Sequence, residues 1–180
     1  MAAKRLRAIK TKRPPISEQM LADASWHLWY EREMLNYCGN ILVGRAPSSR
    51  DQFAVLMESF LIHARNLNYF FYAKEMAEES KNRKAIWFDD VIAEDYFENL
   101  LPWSKPLENR LSRDEIDKMN KQLAHISYAR KITNRSAWDF QGIQTRLLRT
   151  VDAFVRAVPR ERLHPALFGA YPGNYFYVDE

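Results

Sequence analysis

The sequence predicts an all-α fold: a helical bundle of four to five helices, with short covering helices and a basic N-terminal arm. Three observations predict it. Only 5 glycines occur among 180 residues, and no Asn-Gly or Asp-Gly pair offers a hairpin turn between strands. Apolar residues recur at three-to-four spacing over long stretches, the period of a helix with one buried face. They make up 47% of the chain, and aromatics 13%, enough for one domain of this length to build a core without disulfides or metal.

The first helix starts at Ser17, which can cap it, with Glu18 in the opening turn. Met20, Leu21, Ala24, Leu28, Met34 or Leu35, and Cys38 continue a stripe, and Gly39 is expected to stop it. Ser48 or Ser49 caps the second helix, with Asp51 in its first turn. Phe53, Leu56, Met57, Phe60, Ala64, Leu67 and Phe71 form one apolar face, while Leu61, Ile62, Tyr69 and Tyr72 are apolar on other faces. A helix apolar nearly all round has neighbours on several sides, so this one is expected to be central. The charged run from Lys74 to Lys84 ends it. Beyond lies an aromatic stretch with Trp87, Phe88, Tyr96, Phe97 and Trp103, which reads as short helical turns covering the bundle, broken at Pro102 and Pro106. Ser112 and Glu115 form a capping box, and Ile116, Met119, Leu123, Ile126 and Ile132 continue the helix it opens. Ser136 opens another, with Ile143, Leu147, Val151 and Phe154 as its stripe and Pro159 as its end. The remaining residues mix prolines and glycines with aromatics and read as an extended segment across the bundle.

Charge is placed unevenly. Lys4, Arg5, Arg7, Lys10, Lys12 and Arg13 account for 6 of the 27 basic residues, so 21 remain against 23 acids. The isoelectric point near 9.2 is therefore a property of the leading tail. Residues 1–15 are expected to be a basic flexible arm and residues 16–180 a single domain. Such an arm either neutralises phosphates on nucleic acid or is a solvated tail. It lacks the apolar stretch of a secretory signal. No apolar run approaches a membrane span, and a mean hydropathy of -0.49 excludes a polytopic membrane protein. A single cysteine, Cys38, excludes a disulfide framework and fits a reducing, cytoplasmic compartment. It reads as a small core residue rather than a nucleophile.

Several polar groups fall where apolar ones are expected. His63 lies three residues after Phe60 and four before Leu67, beside the apolar face of the central helix. It reads either as a core histidine with a hydrogen-bond partner or as an acid–base group. Glu58 and Arg65 share the side of Ile62 and Tyr69. Arg130 shares a face with Met119 and Leu123, together with Asn120. These charges form either an ion-pair network tying helices together or the wall of a polar pocket. Arg65 and Arg130 are expected to be the partly buried cations. At least one carboxylate among Glu58, Asp89, Asp90, Glu94 and Asp95 is expected to bond one of them. His125 sits on the flank of its helix. No Gly-x-Gly-x-x-Gly, Walker loop or Gly-x-Ser-x-Gly elbow occurs, and the 4 histidines show no ligand spacing, so no cofactor or metal is expected.

The segments HARNL (63–67) and NKQLAH (120–125) resemble stretches of a group of uncharacterised bacterial helical proteins. More distantly, NKQLAH is similar to the RNKxAH-type stretch of the higher eukaryote and prokaryote nucleotide-binding (HEPN) superfamily. The resemblance implies a helical bundle, often a homodimer. Many members are metal-independent ribonucleases of toxin–antitoxin and phage-defence systems, and others bind nucleotides, RNA or a partner protein without catalysis. The family's motif is an arginine, a short spacer and a histidine. His125 matches the histidine, while Lys118, Met119 and Asn120 stand at the arginine positions. A lysine lacks the planar fork with which arginine grips a phosphate. The expected site is thus His63, Arg65, Asn120, His125, Arg130 and Glu58. The expected function is nucleotide, RNA or partner binding. The alternatives are a ribonuclease using His125, with Lys118 or Arg130 holding phosphate, and a purely structural bundle.

Overall fold

The computed structural model describes residues 16–44, 47–79, 86, 89–97, 102–124 and 138–169. The basic arm, Trp87, Phe88, His125, Ile126, Arg130, Ile132 and Ser136 lie outside the described residues. Among the described residues there are four α-helices: α1 (Glu18–Gly44), α2 (Arg50–Glu79), α3 (Arg113–Ala124) and α4 (Phe140–Ala157). Short 3-10 turns at Ala93–Phe97 and Leu107–Asn109 separate α2 from α3, and two more, Arg160–Arg162 and Pro165–Phe168, follow α4 where an extended segment is expected. Among the described residues there is no strand, so the fold is an all-α bundle. None of the described helices is long and apolar enough to cross a membrane.

The starts of α1, α2 and α3 follow their sequence signals. Ser17 Oγ accepts from the Met20 amide at 3.2 Å and Ser49 Oγ from the Gln52 amide at 3.1 Å. The capping box closes as expected: the Ser112 amide donates to Glu115 Oε2 at 2.7 Å and the Glu115 amide to Ser112 Oγ at 3.2 Å. α4 starts later than the expected Ser136: Trp138 and Asp139 are not helical, and the cap is Asp139, whose side chain accepts from the Gly142 amide at 2.9 Å and so satisfies an orphan donor of the first turn.

One helix end departs from expectation. Gly39 does not stop α1, which runs five residues further to Gly44. Gly39 is instead the point where α4 comes closest. A Cβ built there would lie 2.6 Å from Gln144 Cδ. The bare backbone lets Gln144 reach across, and its Nε2 donates to Asn36 Oδ1 at 3.1 Å and Asn40 Oδ1 at 3.0 Å.

α2 is central, packing against α1, α3 and α4. It pairs antiparallel with α1, with Cys38 beside Ser59 and Glu31 beside His63. Phe60, Leu61, Ala64, Leu67, Phe71 and Tyr72 are buried, as the apolar pattern of the helix requires. Ile62 (40% exposed) and Val55 (67% exposed) show that the outer side of the helix is open to water, and this is the side that carries Glu58 and Arg65. The covering segment packs Tyr96, Phe97 and Trp103 edge-on around Phe154, with centroid separations of 5.2, 5.9 and 5.4 Å.

The helix bends at Tyr72, whose φ of −126° and ψ of 22° leave the helical region. The segment from Trp103 to Leu111 is fastened to this bend. Lys105 Nζ donates to the Phe71 carbonyl at 3.0 Å and pairs with Glu75 and Glu94. Tyr72 Oη donates to the Pro106 carbonyl at 2.7 Å, and the Leu111 amide donates to buried Asn68 Oδ1 at 2.9 Å. Among the described residues, the charged tie between the covering segment and α2 therefore runs through Lys105, not Arg65. Asp90 accepts from Tyr69 Oη at 2.7 Å, and Asp95 caps the Ile92 amide at 2.8 Å.

Candidate functional site

Two polar assemblies lie on α2, one on each flank. On the α1 flank, His63 is buried, 7% exposed, and its Nδ1–H donates to Glu31 Oε2 at 2.6 Å. A carboxylate only accepts, so the proton sits on Nδ1. Asn66 Nδ2 donates to the other oxygen, Glu31 Oε1, at 3.1 Å. The Tyr30 ring meets the imidazole edge-on, with centroids 5.6 Å apart. His63 is therefore buried and bonded within the bundle, as its spacing required. Glu31 was not among the expected site residues. Its signal lay in the sequence: it falls three residues after Leu28 and four before Leu35, where the stripe of the first helix has a gap.

On the other flank, α2 and α3 diverge around a groove of about 520 Å³. Its floor is apolar: Ala73, Met76, Ala77, Leu111 and Ile116. Its rim carries the cations Arg65, Arg110 and Arg113, the amides of Asn66 and Asn120, and the acids Glu79 and Asp117. The volume suits a small organic ligand. Arg110 is engaged by Glu79 through both terminal nitrogens, Nη1 at 2.7 Å. That contact first, and then the charges of Arg110 and Arg113, outweigh burial and hold the exposed Glu79 carboxyl below the usual carboxylate range. No hydrogen bond or ion pair within the described residues engages the guanidinium of Arg65 or Arg113.

The wall behind the groove is fixed from α4. Arg146 Nη2 donates to Glu115 Oε1 at 2.5 Å, and its Nη1 to the Arg110 carbonyl at 3.2 Å. Burial raises the Glu115 carboxyl, but the hydrogen bonds from Arg146 and Ser112 together outweigh it and the net shift is downward. The capping box thus holds both the start of α3 and the backbone of Arg110.

Of the expected residues, Arg65 and Asn120 meet at the groove, and Asn66, between the two assemblies, touches both. The structure does not bring His63 onto the groove lining, and it leaves Glu58 half-buried on the outer side of α2. His125 and Arg130 lie outside the described residues. At the arginine positions of the motif, Lys118 Nζ lies over the Trp138 ring at 4.1 Å, and Met119 is buried. Cys38 is buried and its Sγ–H donates to Ser59 Oγ at 3.4 Å. Burial pushes its thiol pKa up, against the smaller effect of Ser59, which keeps it protonated and a poor nucleophile. Among the described residues no group of three or more His, Cys, Asp or Glu side chains is placed to hold a metal ion. No protein-family model, curated protein or solved structure matches the chain.

Proposed function

We propose that the chain is a HEPN-like binding module whose α2–α3 groove takes a phosphate-bearing ligand of nucleotide size, either free or as part of RNA. The carrying observation is the pair of guanidiniums, Arg65 and Arg113, without an ion-pair partner among the described residues at the rim of a groove with an apolar floor. Guanidinium groups grip phosphate oxygens in pairs. The amides of Asn66 and Asn120 offer donors and acceptors to a base or ribose. Met76 and Ile116 supply apolar contact for the body of the ligand. The two segments that carry the family resemblance, HARNL and NKQLAH, flank this one groove with Arg65, Asn66 and Asn120, which supports the same reading. The setting that the resemblance implies is bacterial defence or a toxin–antitoxin pair.

Binding rather than cleavage is the reading that the arginine positions favour. Lys118 is turned onto Trp138, Met119 is buried, and Asn120 carries no charge. Calorimetric titration of the full chain with AMP and with adenosine tests the proposal. AMP should bind and adenosine should bind at least about tenfold more weakly, since two charge-assisted contacts depend on the phosphate. Arg65→Ala should remove most of that difference. Equal affinity for the two compounds, or no binding of either, would overturn the reading.

A further inference from the structure

The third arginine of the groove differs from the other two. Arg110 is largely shielded, with its side chain 19% exposed, and its own carbonyl is pinned by Arg146. The carboxylate that fills its fork is the opposite: Glu79 has 55% of its side chain exposed and is the last residue of α2. A helix C-terminus repels a negative side chain, and the last turn of α2 holds no basic residue to offset this. The fixed member of the pair is thus the cation, and the replaceable member is the anion. The carboxylate meets both terminal nitrogens of the guanidinium, the same two-point geometry in which a phosphate would bind.

We propose that Glu79 is an internal anion that occupies the Arg110 fork in the free protein and yields it to the phosphate of the ligand. This rests on the groove being the binding site. Glu79 then acts as a latch that lowers the affinity of the groove for phosphate groups and rejects weakly charged compounds. A ligand must exchange one ion pair for another to engage all three arginines. A dianionic phosphate monoester does so more readily than a monoanionic diester, because it brings more charge to the same fork.

The test is calorimetric titration of the full chain with AMP as the probe, in wild type, Glu79→Gln, Arg110→Gln and the double variant. Glu79→Gln should bind AMP roughly three- to fivefold tighter, the factor that an exposed ion pair of this kind supports. Arg110→Gln should bind more weakly, and adding Glu79→Gln to it should change nothing further. Glu79 is exposed, so the first variant does not threaten the fold. If Glu79→Gln binds AMP no tighter than wild type while Arg65→Ala still weakens binding, the latch is overturned and the groove stands. If neither wild type nor Glu79→Gln binds AMP, the groove reading falls, and the latch with it.

Discussion

Glu31 holds two donors from α2 with its two oxygens, His63 at 2.6 Å and Asn66 at 3.1 Å. The carboxylate is partly shielded, with 21% of its side chain exposed, while the imidazole is nearly enclosed. Removing the shared acceptor leaves a buried N–H without a partner, and an orphaned group of this kind costs more than the bond itself contributed. Glu31→Ala should therefore destabilise the fold by about 1–3 kcal/mol in urea denaturation. Glu31→Gln should recover part of the loss, because its one carbonyl oxygen still accepts. A Glu31→Ala chain as stable as wild type would mean that the imidazole finds water instead. His63 was legible because its neighbours at three and four residues are apolar. Glu31 is less legible, because a charged residue followed by Arg32 and Glu33 reads as part of a solvated run. Only its register within the stripe of Leu28, Leu35 and Cys38 marks it.

At the scale of the element, Gly39 shows how a local signal and a tertiary demand use the same residue. Glycine after an apolar stripe commonly ends a helix, and nothing in the local sequence distinguishes that use from close packing. The contact that decides it comes from Gln144, more than a hundred residues away. Gly39→Ala would gain helix propensity of nearly 1 kcal/mol. It would also push the Gln144 amide from Asn36 and Asn40, whose bonds together contribute about 1–3 kcal/mol. The net effect on the melting temperature should be a decrease. The double variant Gly39→Ala with Gln144→Ala should melt above Gly39→Ala alone, since the clash and the displaced amide disappear together. A single variant more stable than wild type would show that Gln144 moves aside without loss. The starts at Ser17, Ser49 and Ser112 were legible because capping is local chemistry, complete within four residues. Lys105 was not, because its partners Phe71, Glu75 and Glu94 come from distant segments and the surrounding Pro-rich sequence has no period.

At the scale of the molecule, helical periodicity predicted the all-α class and the central place of α2, because a helix apolar on most faces has few other ways to leave water. Only part of the groove was legible. Arg65 and Asn120 stood out as polar groups at helical spacing among apolar ones. Arg110 and Arg113 did not, since they belong to the turn and the first residue of α3, where a charged residue needs no explanation. The segment before α3, which brings Arg110 and Leu111 to the groove, is fastened to the bend at Tyr72, and neither the bend nor the fastening has a signature in the chain. On this reading the groove receives a phosphate-bearing ligand. It is tested most directly by amide chemical-shift mapping of the full chain during titration with AMP. Saturable shifts should concentrate at Arg65, Asn66, Leu111, Arg113 and Asn120, with the amides of the α1–α4 contact around Gly39 and Gln144 left in place. Shifts centred away from these residues, or none at saturating AMP, would contradict it.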